Sequence, residues 1–151
     1  MTIAVQLLGI LLVSLVVGIY WGPWVALTRT LARLDVEIFL PVVRELNANL
    51  GRLMSVLVPV TLLAQVGLLV VDSARSPVSV TLAAVAFVLF LVTVVVTMAT
   101  EVPIVKRVIT WQTESVPSNW RELRDRWVSF HLLRVIPGLA ALVLYLAAAM
   151  L

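Results

Sequence analysis

Five residues between Trp120 and Arg134 hold most of the chemistry available to this chain. Trp120, Arg124, Trp127, His131 and Arg134 recur at intervals of four, three, four and three residues in the stretch WRELRDRWVSFHLLR. On a helix, at about 100° per residue, those intervals put all five within an arc of roughly 80°, a stripe about 20 Å long. His131 is the only histidine in the sequence. An imidazole aligned with two guanidiniums suits a neutral base or ligand, and the guanidiniums suit stabilisation of an oxyanion. The other charges are spaced to neutralise one another locally, Arg121 with Asp125 and Glu122 with Arg126. Arg124 and Arg134 have no carboxylate three or four residues away. Beside a bilayer each therefore needs water, a headgroup, a distant carboxylate or a ligand.

Glu101 is the candidate distant carboxylate. It closes the apolar stretch TMATEVP and enters the same membrane face as the stripe. The plainer reading of the stripe is an interfacial belt of Trp and snorkelling Arg, although a belt sits at one depth rather than along a helix. The plainer reading of Glu101 is a solvated helix end, or a pair with Lys106 or Arg107. Thr93, Thr97 and Thr100 share a face and are expected to bond back to their own helix. Gln65 should face the bundle interior and make a structural hydrogen bond. One histidine cannot build a zinc site unaided, so a metal or haem at His131 is the weaker alternative and would need a partner such as Glu101.

The segments that must position these residues are overwhelmingly apolar. Of 151 residues 62% are hydrophobic and 13% charged, with a mean hydropathy of +1.13, whereas a soluble domain carries about a quarter charged residues. Four runs, at about 3–27, 53–71, 78–100 and 130–151, each reach the roughly 20 residues that a membrane helix needs. Continuous rather than alternating hydrophobicity means helices, so the expected fold is all-α: a four-helix transmembrane bundle forming a single domain. The first run lacks a preceding Lys or Arg and a small-residue cleavage site, and reads as a retained span rather than a signal peptide. Asp72–Pro77 is short enough to join the second and third spans as a hairpin.

The two longer connections, about 28–52 and 101–129, are expected to hold short interfacial helices. Asp35 is a plausible cap for a helix starting near Val36, and Asn119 with Glu122 fits a capping pair. Pro103 is expected to break the third helix. Gly18 and Gly22 have the spacing of a close helix contact, and Tyr20, Trp21 and Trp24 read first as an aromatic belt.

Ten of the basic residues fall in or beside those two connections, against Arg75 alone on the opposite side. The positive-inside rule then makes both connections cytoplasmic and both termini external, in a multi-pass protein of the cell membrane. The net charge of +3 and pI of about 10.2 point to anionic lipid headgroups, not nucleic acid, as the counterpart. There is no cysteine. Nor is there a P-loop, dinucleotide fingerprint or nucleophile elbow, so phosphoryl transfer and nucleotide chemistry are unsupported.

From EVPIVKRVITW to the end of the stripe the sequence resembles the small four-helix membrane proteins that include the anthrone oxygenases. The matching positions are Glu101, Pro103, Trp111, Trp120, Arg124, Arg126, Trp127, His131 and Arg134, and the hydropathy pattern from GIYWGPWVAL to Asn49 is similar as well. One departure is Val105, where such proteins often carry Asn. The resemblance implies oxidation of a phenolic polycyclic ketone by O2 at the cytoplasmic membrane face, with no cofactor required. It implies His131 as the base, Arg124 and Arg134 as stabilisers of the enolate, Glu101 as their companion, and Trp120, Trp127 and Trp111 as substrate walls. The competing reading is a non-catalytic membrane protein that grips a lipid, a quinone or a protein partner through the same face. A homo-oligomer is compatible with either.

Overall fold

The computed structural model describes residues 2–72 and 76–151, the side chains of Thr2, Thr28, Arg29, Val71 and Asp72 excepted. Its elements run α1 (Thr2–Pro23), a π-helical turn (Trp24–Thr28), α2 (Arg29–Leu31), α3 (Val36–Asp72), α4 (Pro77–Val96), a second π-helical turn (Thr97–Glu101), α5 (Val102–Val108), a 3₁₀ turn (Thr113–Ser115) and α6 (Trp120–Met150). There is no strand among the described residues. Four helical stretches are long and apolar enough to cross a membrane: Ile3–Leu27, Val36–Val70, Pro77–Val108 and Trp120–Met150. Side chains such as Leu7, Leu63, Val88 and Val143 stay exposed on their outer faces, as expected where lipid rather than water is the solvent.

Two helices are much longer than a bilayer core. At 1.5 Å per residue α3, with 37 residues, spans about 55 Å, and α6, with 31, about 46 Å. The hydrocarbon layer is only about 30 Å thick, so both project from the same end. The helix expected near Val36 starts there, with Phe39 N–H donating to the Asp35 carbonyl at 2.9 Å.

Pro103 does not break the third span. The chain widens into the π turn just before it, the Val102 N–H donates to the Thr97 carbonyl, and the helix continues to Val108. Widening moves the preceding carbonyls away from the proline ring, which an ordinary α-turn would bring into collision. The Asn119 side chain makes no cap hydrogen bond, although the helix does begin at Trp120, and α6 then runs unbroken through Pro137. Most of the expected hairpin turn, Ser73–Arg75, lies outside the described residues. On its far side Ser76 caps α4, its Oγ accepting from Ser79 N–H at 3.1 Å.

Two apolar cores are stacked along the bundle. The larger lies within the span and includes Val13, Val17, Phe90, Val135 and Tyr145. The smaller lies at the end formed by the two long connections, where Leu31, Phe39, Leu40, Val43, Val108, Trp120 and Trp127 meet. The close approach of α1 to α3 is made at Gly9, where an added Cβ would lie 2.4 Å from Leu68 Cδ1. Gly18 and Gly22, whose spacing fits a close helix contact, have nothing within 4 Å of such a Cβ inside this chain. Most polar groups inside the larger core are matched as expected, although Gln65 Nε2 is buried without a hydrogen-bond partner among the described residues. The Tyr145 hydroxyl donates to Gln65 Oε1 at 2.6 Å, and Thr93, Thr97 and Thr100 each donate to the carbonyl four residues earlier.

Candidate functional site

The inward face of α6 is the one its spacing predicts: Trp120, Arg124, Trp127 and His131 are all buried, and the Arg134 side chain is only 11% exposed. The neighbouring elements nevertheless divide that face into two sites. At the tip, Arg124 Nε donates to Asp125 Oδ1 at 3.0 Å, its Nη1 donates to the Leu34 carbonyl at 3.3 Å, and its guanidinium lies over the Trp120 ring at 5.1 Å. Trp120 in turn packs on Phe39. Trp111 packs against the same core, and its carbonyl accepts from Arg44 Nη2. These contacts tie the two long connections together. The pairs expected within the helix do not close: Asp125 is taken by Arg124, Arg121 lies over Trp120, and Arg126 over Phe130.

About two to three turns deeper, His131 and Arg134 meet Glu101. Arg134 Nη2 lies 2.7 Å from His131 Nδ1 and 3.4 Å from Glu101 Oε2, and His131 Nδ1 is 3.7 Å from the same carboxylate oxygen. Glu101 is 3% exposed, as is His131. Glu101 is thus a buried ion-pair partner, neither a solvated helix end nor a mate for Lys106 or Arg107. It closes the π turn, whose extra residue per turn shifts the helix face that follows it.

The partners assign the histidine's proton. Nε2 lies 2.9 Å from the Tyr20 carbonyl, which can only accept, so Nε2 carries hydrogen. Nδ1 faces a guanidinium, which can only donate, so Nδ1 offers its lone pair. Both ring nitrogens of His131 are thus engaged. No group of three or more His, Cys, Asp or Glu side chains forms a metal cluster among the described residues.

Glu101, Trp127, His131 and Arg134 line a cavity of about 210 Å³ between α1, α3, α4–α5 and α6. An apolar cavity of roughly 150 Å³ is enough to hold benzene. Most of the remaining wall is aliphatic, from Ile19, Leu27, Leu31, Val43, Leu46, Leu50 and Met54. Asn47, Gly51 and Lys106 line it while remaining exposed, and so mark its mouth between α3 and α5. Val105 is on the wall as well, presenting methyl groups in place of an amide. Trp120, Arg124 and Trp111 are not on it.

Four polar wall residues escape the sequence pattern. Tyr20 is 4% exposed and the Arg134 guanidinium lies over its ring at 4.3 Å, while its hydroxyl sits beside Thr97. Its burial follows the face Val13, Val16, Val17 and Tyr20, a signal that an aromatic-belt reading of the GIYW stretch conceals. Thr97, Asn47 and Lys106 carry no comparable signal. Trp21, by contrast, is exposed, as a belt residue should be.

Residues 46–144 match the family model described as anthrone oxygenase. The chain belongs to the anthrone oxygenase family. No curated protein and no solved structure is detectably similar. The matched segment contains Glu101, Trp127, His131, Arg134, Val105 and Asn47, so nearly every polar group on the cavity wall falls inside the family's region. Tyr20, on α1, falls outside it.

Proposed function

We propose that the protein is a membrane oxygenase that oxidises a hydrophobic phenolic polycyclic ketone of the anthrone type with O2, without a bound cofactor. The observation that carries the reading is the Glu101–His131–Arg134 cluster, buried at the wall of an otherwise aliphatic cavity in a chain of this family. The chemistry needs a proton removed from the methylene carbon beside the aromatic rings and a positive group near the ketone oxygen where the enolate charge collects. Arg134 supplies the positive group. It is fixed from three sides, by His131, Glu101 and the Tyr20 ring, and so needs little reorganisation when charge develops. Trp127 supplies a flat wall beside it.

The electron-rich enolate passes one electron to O2. The resulting carbon radical and superoxide combine, and the peroxide anion takes up a proton. Loss of water from the hydroperoxide leaves a second carbonyl. Overall a CH2 becomes C=O, one oxygen atom enters the product and the other leaves as water. In this reading the substrate reaches the site from the membrane, through the mouth at Gly51 and Lys106, on the cytoplasmic face.

The test is O2 uptake by the purified protein in detergent or nanodiscs supplied with anthrone. Uptake matched by anthraquinone formation, above the rate of autoxidation, is expected. Binding of anthrone with no uptake would instead make the protein a binder of hydrophobic aromatics.

A further inference from the structure

We propose that Glu101, through Oε1, is the group that takes the proton, and that His131 is a positioning residue that holds the carboxylate and Arg134 in place. This rests on the oxygenase reading above. The first argument is the engagement of the imidazole. Its Nε2–H donates to the Tyr20 carbonyl, and its Nδ1 lone pair accepts from Arg134. To act as base the ring would have to give up the Arg134 contact, and then carry a positive charge beside a guanidinium in a buried site.

The second argument is the unused capacity of Glu101. Oε2 faces Arg134 at 3.4 Å, whereas Oε1 is buried and has no hydrogen-bond partner among the described residues. The side chain is 4% exposed and forms part of the cavity wall. A buried carboxylate oxygen left unpaired is costly, and its retention on a cavity wall is accounted for if a ligand's proton is what it meets. Arg134 Nε and Trp127 Nε1 are likewise buried without partners, on the same wall. The residues that bear these three atoms all line the cavity, and between them leave one acceptor and two donors unpaired beside it.

In the step itself the substrate C–H bond breaks, its electron pair stays on the substrate as the enolate, and Glu101 becomes a carboxylic acid. That proton is then available to the peroxide anion formed after O2 has reacted. The Arg134 guanidinium faces both charges in turn, first the carboxylate and then the enolate. His131 keeps it aimed by linking α6 to the α1 backbone at Tyr20.

The test separates deprotonation from oxidation. Protein and anthrone are mixed without O2, and the enolate is followed by its absorption. Glu101→Gln should lower the rate of enolate formation by about 10²–10⁴-fold, the usual contribution of a general base, and Glu101→Ala should be partly restored by added formate. His131→Gln has an amide N–H for Tyr20 and an amide oxygen for Arg134, and should fall by no more than about tenfold. His131→Ala, which leaves both unpaired, should fall much further. Rescue by Gln is what distinguishes a positioning residue from a base, since a base is lost equally in both variants.

Equal, large losses in folded His131→Gln and His131→Ala would overturn the assignment. So would full activity in Glu101→Gln. Should Glu101→Gln fail to fold, the His131→Gln result decides alone. A wild-type protein that forms no enolate and takes up no O2 would sink the oxygenase reading itself. An active wild type with an inactive, folded His131→Gln would remove only the assignment of the base.

Discussion

Arg124 and Arg134 share a helix face and a residue type, yet their surroundings give them different work. Arg124 is bound to Asp125, the Leu34 carbonyl and the face of Trp120, away from the cavity. Arg134 sits on the cavity wall with a histidine, a buried carboxylate and a tyrosine ring. Arg124→Ala should therefore lower stability by about 1–3 kcal/mol, through lost hydrogen bonds and packing, and leave turnover of anthrone near the wild-type rate. Arg134→Lys should do the reverse. An ammonium keeps the charge but loses the planar set of donors, so O2 uptake should fall by about 10²-fold or more while the protein still elutes as a single species. Measured together, thermal unfolding in detergent and O2 uptake separate the two arginines. Comparable losses of turnover in both variants would contradict the division of the stripe.

At the scale of elements the important device is the π turn Thr97–Glu101. The 3.6-residue period that places α6 correctly fails across this turn, because one extra residue enters it and the register of all later positions shifts by about 100°. Pro103 is the local cause, and Glu101 is the residue that profits. Pro103→Ala permits an ordinary α-turn, which would rotate Glu101 away from Arg134. We expect that variant to keep its helix content by circular dichroism and to unfold no earlier than wild type, yet to lose on the order of 10²-fold in turnover, the scale associated with small misplacements of a reacting group. Turnover equal to wild type would show that the turn is not what aims the carboxylate. The other π turn, at Trp24–Thr28, comes directly after Pro23 rather than before it, and the Tyr20 carbonyl one turn earlier is the one that receives His131. Each side of the polar cluster thus adjoins a proline-linked widening of its helix.

Across the whole molecule, both long connections lie at one end of the bundle, joined through Phe39, Trp120, Trp127 and Val108. That end holds ten of the eleven basic residues of the chain, counting Arg134 just inside the span, so the positive-inside rule predicts that it faces the cytoplasm. The lack of cysteine makes the assignment directly testable. Single cysteines at Thr113 and Glu37, both exposed, should react with a membrane-impermeant maleimide only after cells are permeabilised. Labelling of either in intact cells would reverse the orientation, and labelling of one alone would contradict their placement at a common end.

The sequence by itself determined four apolar spans, the start of α3 at Val36, the inward face of α6 and the back-bonded threonines. All of these follow from composition and from periodicities within a single helix, where each residue's direction depends only on its near neighbours. It also singled out Glu101, His131 and Arg134, because charge in an apolar chain is conspicuous. Only the tertiary structure decided which of these meet. Arg124 found its partners one residue along and on another element, beyond the reach of a rule about i+3 and i+4. The stripe was divided because the smaller core closes over its tip while the cavity opens beneath Trp127. Tyr20 joined the site through its backbone carbonyl, a group every residue possesses and no sequence pattern can mark. The single protonated nitrogen of His131 was fixed by that carbonyl and by a guanidinium, contacts made between helices, and it is those contacts that turn attention from the histidine to the carboxylate beside it.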